Sequence, residues 1–171
     1  MRKKISITVV GLGYIGLPLL YELSKFFKVI GIDNNKARIN TLKKGIDVNK
    51  KISKNEIKQI IPFLHNKFCI TRKTNVYIVT VPTPVFKNKN PDISALISAT
   101  KSITRLISKG DTIIYESTVY PGLIEEIAQK YISKNNNFVL NKDFFLGYSP
   151  ERMNPGDNVH TLHNITKIIS G

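Results

Sequence analysis

A single cysteine, Cys69, stands in 171 residues, so no disulfide can form within the chain and a reducing compartment fits. Flanked by Phe68 and Ile70, it reads as a small buried hydrophobe rather than a nucleophile. No apolar run approaches the ~20 residues of a membrane span. The first residues, Met1-Arg2-Lys3-Lys4-Ile5, carry charge without the apolar core of a signal peptide. The expectation is a soluble, cytoplasmic protein. Acidic side chains are scarce, 12 against 26 basic ones, for a formal charge of +14. Such an excess raises the question of nucleic acid or an anionic surface. The lysines, however, lie singly or in pairs, densest at Lys3-Lys4, Lys43-Lys44 and Lys50-Lys51, with no basic stripe interleaved with aromatics. That distribution describes a solvated surface, and neither a specific nucleic acid nor a membrane is expected as partner. A metal centre is not expected either. His160-x-x-His163 has only Asp157 nearby as a further ligand, and it reads as an exposed or hydrogen-bonded pair, as His65 beside Asn66 reads as surface loop. There is no repeat of solenoid period and no low-complexity linker, and the length suits one well-buried domain.

What is present is concentrated at the start. Residues 5–10, Ile-Ser-Ile-Thr-Val-Val, form an apolar strand that runs into Gly11-x-Gly13-x-x-Gly16 and then into a helical pattern from Pro18. Val29-Ile30-Gly31-Ile32-Asp33 follows as a second strand ending in a carboxylate, 22 residues after Gly11. This context turns a weak motif into a dinucleotide-binding turn. Gly11 permits the tight turn, Gly13 lets the backbone approach a pyrophosphate, and Gly16 lets helix and strand pack closely. The phosphates meet free N–H groups at the positive helix end, beside Tyr14 and Ile15. Asp33 is placed for the ribose 2′-hydroxyl and would repel a 2′-phosphate, which selects NAD over NADP. Lys36 and Arg38, close after it, bear on the same end of the cofactor.

Strand and helix patterns alternate, which implies an α/β fold of Rossmann type: a doubly wound, mostly parallel sheet with helices on both faces. Strands are expected near 5–10, 28–32, 68–71, 76–81, 111–115, 144–148 and 166–170. Helices are expected after the glycine turn, over 34–44 to Gly45, and from the capping box Ser53-Lys54-Asn55-Glu56 to Ile60-Ile61-Pro62. Another follows Pro91-Asp92 with Ile93, Leu96, Ile97, Ile103 and Ile107 as its stripe, and the last opens at Pro121 with Glu125 and Glu126 near its positive end. Asn135-Asn136-Asn137 reads as a surface turn. Ligands of such sheets bind outside the carboxyl ends of the strands. Five of those ends carry unusual residues: Gly11–Gly16, Asp33, Pro82-Thr83-Pro84, Glu116-Ser117-Thr118 and Tyr148-Ser149-Pro150-Glu151-Arg152.

Together, Gly11-Leu-Gly-Tyr-Ile-Gly-Leu-Pro18, Val81-Pro-Thr-Pro84, Tyr115-Glu-Ser-Thr-Val-Tyr-Pro-Gly122 and Gly147-Tyr-Ser-Pro-Glu-Arg-Met-Asn-Pro-Gly156 resemble the UDP-glucose/GDP-mannose dehydrogenase family. Glu116, where the UDP-glucose group usually has lysine, and Pro-Glu-Arg-Met-Asn-Pro, in place of Pro-Glu-Phe-Leu, are most similar to the branch that oxidises UDP-N-acetylhexosamines for bacterial surface polysaccharide. The resemblance implies oxidation of the sugar C6 alcohol to an aldehyde and then a carboxylate, with two NAD reduced. It implies that Val81, Pro82, Thr83, Pro84, Glu116, Ser117 and Thr118 line the NAD site. Thr118 would orient the reacting oxygen or a water, Glu151 would act as general base or polarise that water, and Arg152 and Asn154 would face a UDP-sugar.

Two departures limit the comparison. Pro155 stands where the UDP-glucose group has a second carboxylate. The family's nucleophilic cysteine belongs to a segment beyond Gly171, and Cys69 cannot replace it. The chain is therefore expected to be the N-terminal NAD-binding portion of a longer dehydrogenase, inactive alone and a homo-oligomer when full length. The alternatives are a non-catalytic NAD(H)-binding regulatory or redox-sensing module, a UDP-glucose 6-dehydrogenase, or a β-hydroxyacid dehydrogenase; the last would need a Gly-x-Ser substrate loop or a catalytic lysine, and neither is found.

Overall fold

The computed structural model describes residues 5–68, 74–151 and 166–171. Strands β1 (Ser6–Val10), β2 (Lys28–Ile32), β3 (Leu64–His65), β4 (Val76–Val79), β5 (Asp111–Tyr115) and β6 (Phe144–Tyr148) form one sheet in the order β3-β2-β1-β4-β5-β6. Every pairing is parallel. Side chains alternate between faces along each strand, so the apolar runs feed two cores at once. Ile7, Val9 and Ile78 pack on one face with Leu17 and Leu20 of helix α1 (Gly16–Ser24), Ile39 and Leu42 of α2 (Lys36–Lys43) and Ile60 of α3 (Lys54–Ile60). Val10, Val79, Ile113 and Tyr115 pack on the other with Leu96 and Ile103 of α4 (Ser94–Thr104) and Ile124 and Ile127 of α5 (Leu123–Ala128). Helices thus cover both faces, as the alternating pattern requires.

Local chemistry fixes the start of α3. Ser53 Oγ accepts from the Glu56 N–H and the Glu56 carboxylate accepts from the Ser53 N–H, closing the expected capping box. Buried Thr100 and Tyr115 join α4 to β5 through their hydroxyls at 2.8 Å, and burial pushes the Tyr115 phenol up to about 12.

Four elements differ from expectation. The strand beside β2 is Leu64–His65, not 68–71. Pro62 ends α3 in a short tight turn, the chain turns extended at Leu64, and His65 sits in the sheet rather than in a surface loop. Phe68 is not in a strand, and residues 69–71, Cys69 among them, lie outside the described residues. The segment near 166–170 is not a parallel strand. It returns antiparallel along the end of β6 and meets it at one bridge, Tyr148 with Ser170. Helix α5 begins at Leu123 after Gly122, whose φ of +87° interrupts any helix from Pro121. Asn135 and Asn136 belong to α6 (Lys134–Asn136), reached from α5 through a wide turn over Gln129–Ser133; Asn137, at φ 54°, ends it.

Candidate functional site

Gly11 leaves β1 at φ +97°, and a Cβ there would stand 3.0 Å from the Thr80 carbonyl oxygen. Its N–H donates to the Ile32 carbonyl at 2.8 Å, which ties the turn to β2. At Gly16 a Cβ would overlap the Gly11 carbonyl oxygen and Thr80 Oγ1, so the start of α1 can lie against the turn only without a side chain. Thr80, at the end of β4, donates its hydroxyl to the Gly11 carbonyl at 2.7 Å. Nothing lies within 4 Å of a Cβ built on Gly13, so the space above this residue is open. Ile15 precedes α1 without a side-chain cap, and the first turn holds no acidic residue. The helix therefore presents uncapped N–H groups and an uncompensated positive end to that space.

Asp33 holds the turn from the neighbouring strand end. Its Oδ2 accepts from the Leu12 N–H and its Oδ1 from the Asn35 N–H, both at 2.9 Å. A cavity of about 560 Å³ opens beside it, lined by Gly11, Asp33, Phe68, Ser98, Ser102 and Arg105. Val81 and Pro82 also reach this cavity. Sequence reasoning missed Phe68, the α4 residues Ser98 and Ser102, and Arg105 directly after the helix; the last three lie off the apolar stripe and carry no motif. It also missed Thr80, whose signal was its place directly before Val81-Pro82-Thr83-Pro84.

Arg38 supports the turn from behind. Its Nε donates to the Leu12 carbonyl at 2.9 Å and its Nη2 pairs with Asp47 at 2.8 Å, while buried Nη1 has no hydrogen-bond partner. Tyr14 extends from the turn under Lys51, whose ammonium stands 4.1 Å from the ring centre.

On the other half of the rim, hydroxyl bonds stitch the strand-end loops together. Ser117 Oγ donates to the Val81 carbonyl at 2.6 Å, and Thr83 Oγ1 donates to the Thr118 carbonyl at 2.7 Å. The Ser149 N–H donates to the Tyr115 carbonyl at 3.0 Å, which brings the loop carrying half-buried Glu151 to the end of β5. Buried Glu116 pairs with Lys167 at 2.7 Å. Burial pushes the Glu116 carboxyl above the usual carboxylate range, Lys167 pulls it back, and the charge of Glu151 adds to the rise. Arg152, Asn154, His160 and His163 lie outside the described residues. Among the described residues no group of three or more His, Cys, Asp or Glu is arranged to hold a metal, and no helix is long and apolar enough to cross a membrane.

A six-stranded parallel sheet with a glycine turn at its first strand end and a carboxylate at its second defines the NAD-binding domain of a dehydrogenase. Its residues fit that cofactor: the open face of Gly13 and the uncapped helix end suit a diphosphate, and Asp33 at the end of β2 suits a ribose. The chain belongs to the UDP-glucose/GDP-mannose dehydrogenase family, whose NAD binding domain it matches over residues 5–171. It is 46% identical over 171 residues to the UDP-N-acetyl-D-glucosamine 6-dehydrogenase of Pseudomonas aeruginosa, covering 99% of this chain and 40% of that protein. Similarity to the enzyme of the same description from Salmonella typhi is 44% over 170 residues, covering 98% and 40%. Among solved structures, the UDP-N-acetyl-mannosamine dehydrogenase Cap5O of Staphylococcus aureus superposes with a TM-score of 0.77 at 32% identity, over 88% of this chain and 38% of that one. The chain thus spans about 40% of the length of the curated relatives it matches.

If Asp33 holds the ribose, Asp33→Ala should weaken NAD binding about 10- to 100-fold, the loss of charge-assisted hydrogen bonds worth about 1.5–3 kcal/mol. Calorimetry with the wild-type and variant chains measures this. Unchanged affinity would remove Asp33 from the cofactor site.

Proposed function

We propose that these residues form the NAD-binding portion of a longer cytoplasmic, homo-oligomeric enzyme that oxidises the C6 alcohol of a UDP-N-acetylhexosamine to a uronic acid. The observation that carries this reading is the rim itself: Val81, Thr83, Ser117, Thr118 and the Glu151 loop are drawn to one edge of the sheet, beside the glycine turn. Oxidation at C6 needs such convergence, because hydride transfer requires the sugar carbon and the cofactor in contact. The higher identity to the two UDP-N-acetyl-D-glucosamine 6-dehydrogenases makes UDP-N-acetyl-D-glucosamine the first substrate to test.

In this reading the glycine turn and α1 bind the diphosphate, and Asp33 binds the adenosine ribose. NAD supplies the hydride acceptor for both oxidations. At the opposite half of the rim, Glu151, directly or through a water, takes the proton of the C6 hydroxyl while Thr118 orients that oxygen. Arg152 and Asn154 are assigned to the sugar nucleotide by the family resemblance of their motif alone. Thr83 and Ser117, already committed to backbone carbonyls, hold the two loops at their spacing and so set where Thr118 stands.

The test has two arms, both read as NADH formation over a panel of UDP-sugars. The 171-residue chain should bind NAD but release no uronic acid, since the second oxidation needs a positioned thiolate and Cys69 is its sole thiol. In the longer enzyme, Glu151→Gln should lower kcat by about 100-fold or more with NAD affinity unchanged, the loss expected of a general base. Unaltered kcat would remove Glu151 from the chemistry, and steady turnover by the 171-residue chain would overturn the division of labour.

A further inference from the structure

Lys167 belongs to none of the rim motifs described above, yet it ends on the rim. Its ammonium lies 2.7 Å from Glu116 Oε2, with the two side chains 22% and 8% exposed. Three residues on, Ser170 exchanges two backbone hydrogen bonds with Tyr148, at 2.7 and 2.9 Å. Tyr148 is the last residue of β6, and the next residues are Ser149, Pro150 and Glu151. The Ser149 N–H is in turn held by the Tyr115 carbonyl, directly before Glu116. A closed circuit results: Glu116 to Lys167 by charge, Ser170 to Tyr148 by backbone, and Ser149 back to Tyr115. The Glu151 loop springs from within it.

We propose that Lys167 is a positioning residue, whose ion pair with Glu116 fastens the 166–171 segment to the rim and, through the Ser170 bridge, fixes the root of the loop that carries Glu151. Its relevance to catalysis rests on the proposed role of Glu151; the fastening itself does not. Charge gives the device a second effect. Among the described residues, Lys167 and Glu151 are the charged groups acting on Glu116, one favouring its ionised form and the other opposing it. Without Lys167, a buried carboxylate would face Glu151 with no cation beside it, and Glu116 would hold a proton to higher pH. A neutral, loosely held Glu116 would leave the loop root without its electrostatic anchor.

Two NMR measurements on the 171-residue chain test this: hydrogen exchange at the Tyr148 amide and the titration of the Glu116 side-chain carboxyl carbon. In Lys167→Met, Tyr148 should exchange about tenfold faster or more, as expected when a local clamp opens. The Glu116 midpoint should rise by about 1 to 3 pH units, the usual effect of removing a neighbouring opposite charge. Lys167→Arg should restore both, which a loss of side-chain packing alone would not predict. Unchanged exchange and midpoint in Lys167→Met would overturn the proposal. If that variant does not fold, Glu116→Gln removes the ion pair without stranding a buried charge, and the Tyr148 amide should again exchange faster; unchanged exchange there is equally fatal. An inert Glu151→Gln substitution in the longer enzyme would sink the role of Glu151 while leaving these measurements intact, so the two failures are separable.

Discussion

Replacing Gly16 with alanine should both destabilise the chain and abolish measurable NAD binding. By propensity alone the change favours helix α1, by roughly 1 kcal/mol. Sterics oppose it with more force, because the new Cβ overlaps the Gly11 carbonyl oxygen, which is backbone, and Thr80 Oγ1. Thr80 cannot simply swing away, since its hydroxyl is what holds that carbonyl. The helix start must instead withdraw from the turn, at a cost of about 1–3 kcal/mol or more for an overpacked contact. Withdrawal also carries off the N–H groups meant for the diphosphate. Gly13→Ala is the matched control: the space around that residue is open, so stability should stay within about 0.5 kcal/mol beyond the ordinary helix-end effects of a surface change. Its methyl group would occupy the approach of the phosphates, and affinity should fall about tenfold or more. Urea denaturation and calorimetry on both variants decide the matter. If Gly16→Ala retained wild-type stability and binding, the close contact of helix and turn would not be what the motif provides.

The second large effect concerns Arg38→Met. The Arg38 and Asp47 side chains are 9% and 1% exposed, and their ion pair is 2.8 Å long. Asp47 also accepts from the N–H groups of Asn49 and Lys51, so it organises the loop between α2 and α3. Removing the guanidinium leaves a buried carboxylate without its cation, for which about 3–5 kcal/mol is the expected loss. The Leu12 carbonyl loses its donor as well, so the glycine turn and the loop should loosen together. The fall in denaturation midpoint measures the loss, and a shift of under about 0.5 kcal/mol would show that water or a rearranged side chain compensates Asp47.

Arg38 shows how position and role separate. Its place five residues after Asp33 marks it for the cofactor end, and it does stand at the turn. Only the folded chain reveals that Nε is committed to the Leu12 carbonyl and Nη2 to Asp47, so the guanidinium braces the turn from inside the protein. Glu116 is similar. It occupies the expected rim, but its partner is 51 residues away in a segment where the sequence predicts a further strand.

What the sequence determined by itself is what short-range physics controls. Short apolar runs placed the long strands, Ser53 and Glu56 placed the start of α3, and the spacing of Gly11, Gly13 and Gly16 marked the tight turn that Asp33 holds. Each of these follows from bond geometry, glycine's access to positive φ, or a hydrogen bond spanning a few residues. Tertiary structure alone decided the rest. Leu64–His65 is a strand because Gly31 and Ile32 lie beside it, not because two residues have any periodicity. Ser98, Ser102 and Arg105 line a cavity because α4 packs with that flank toward the strand ends. The 166–171 segment runs antiparallel because Tyr148 offers its two free backbone groups at the sheet edge and Lys167 finds a buried carboxylate there. Such pairings bring together groups far apart in the chain, and their free energy exists only once the sheet that carries both partners has formed.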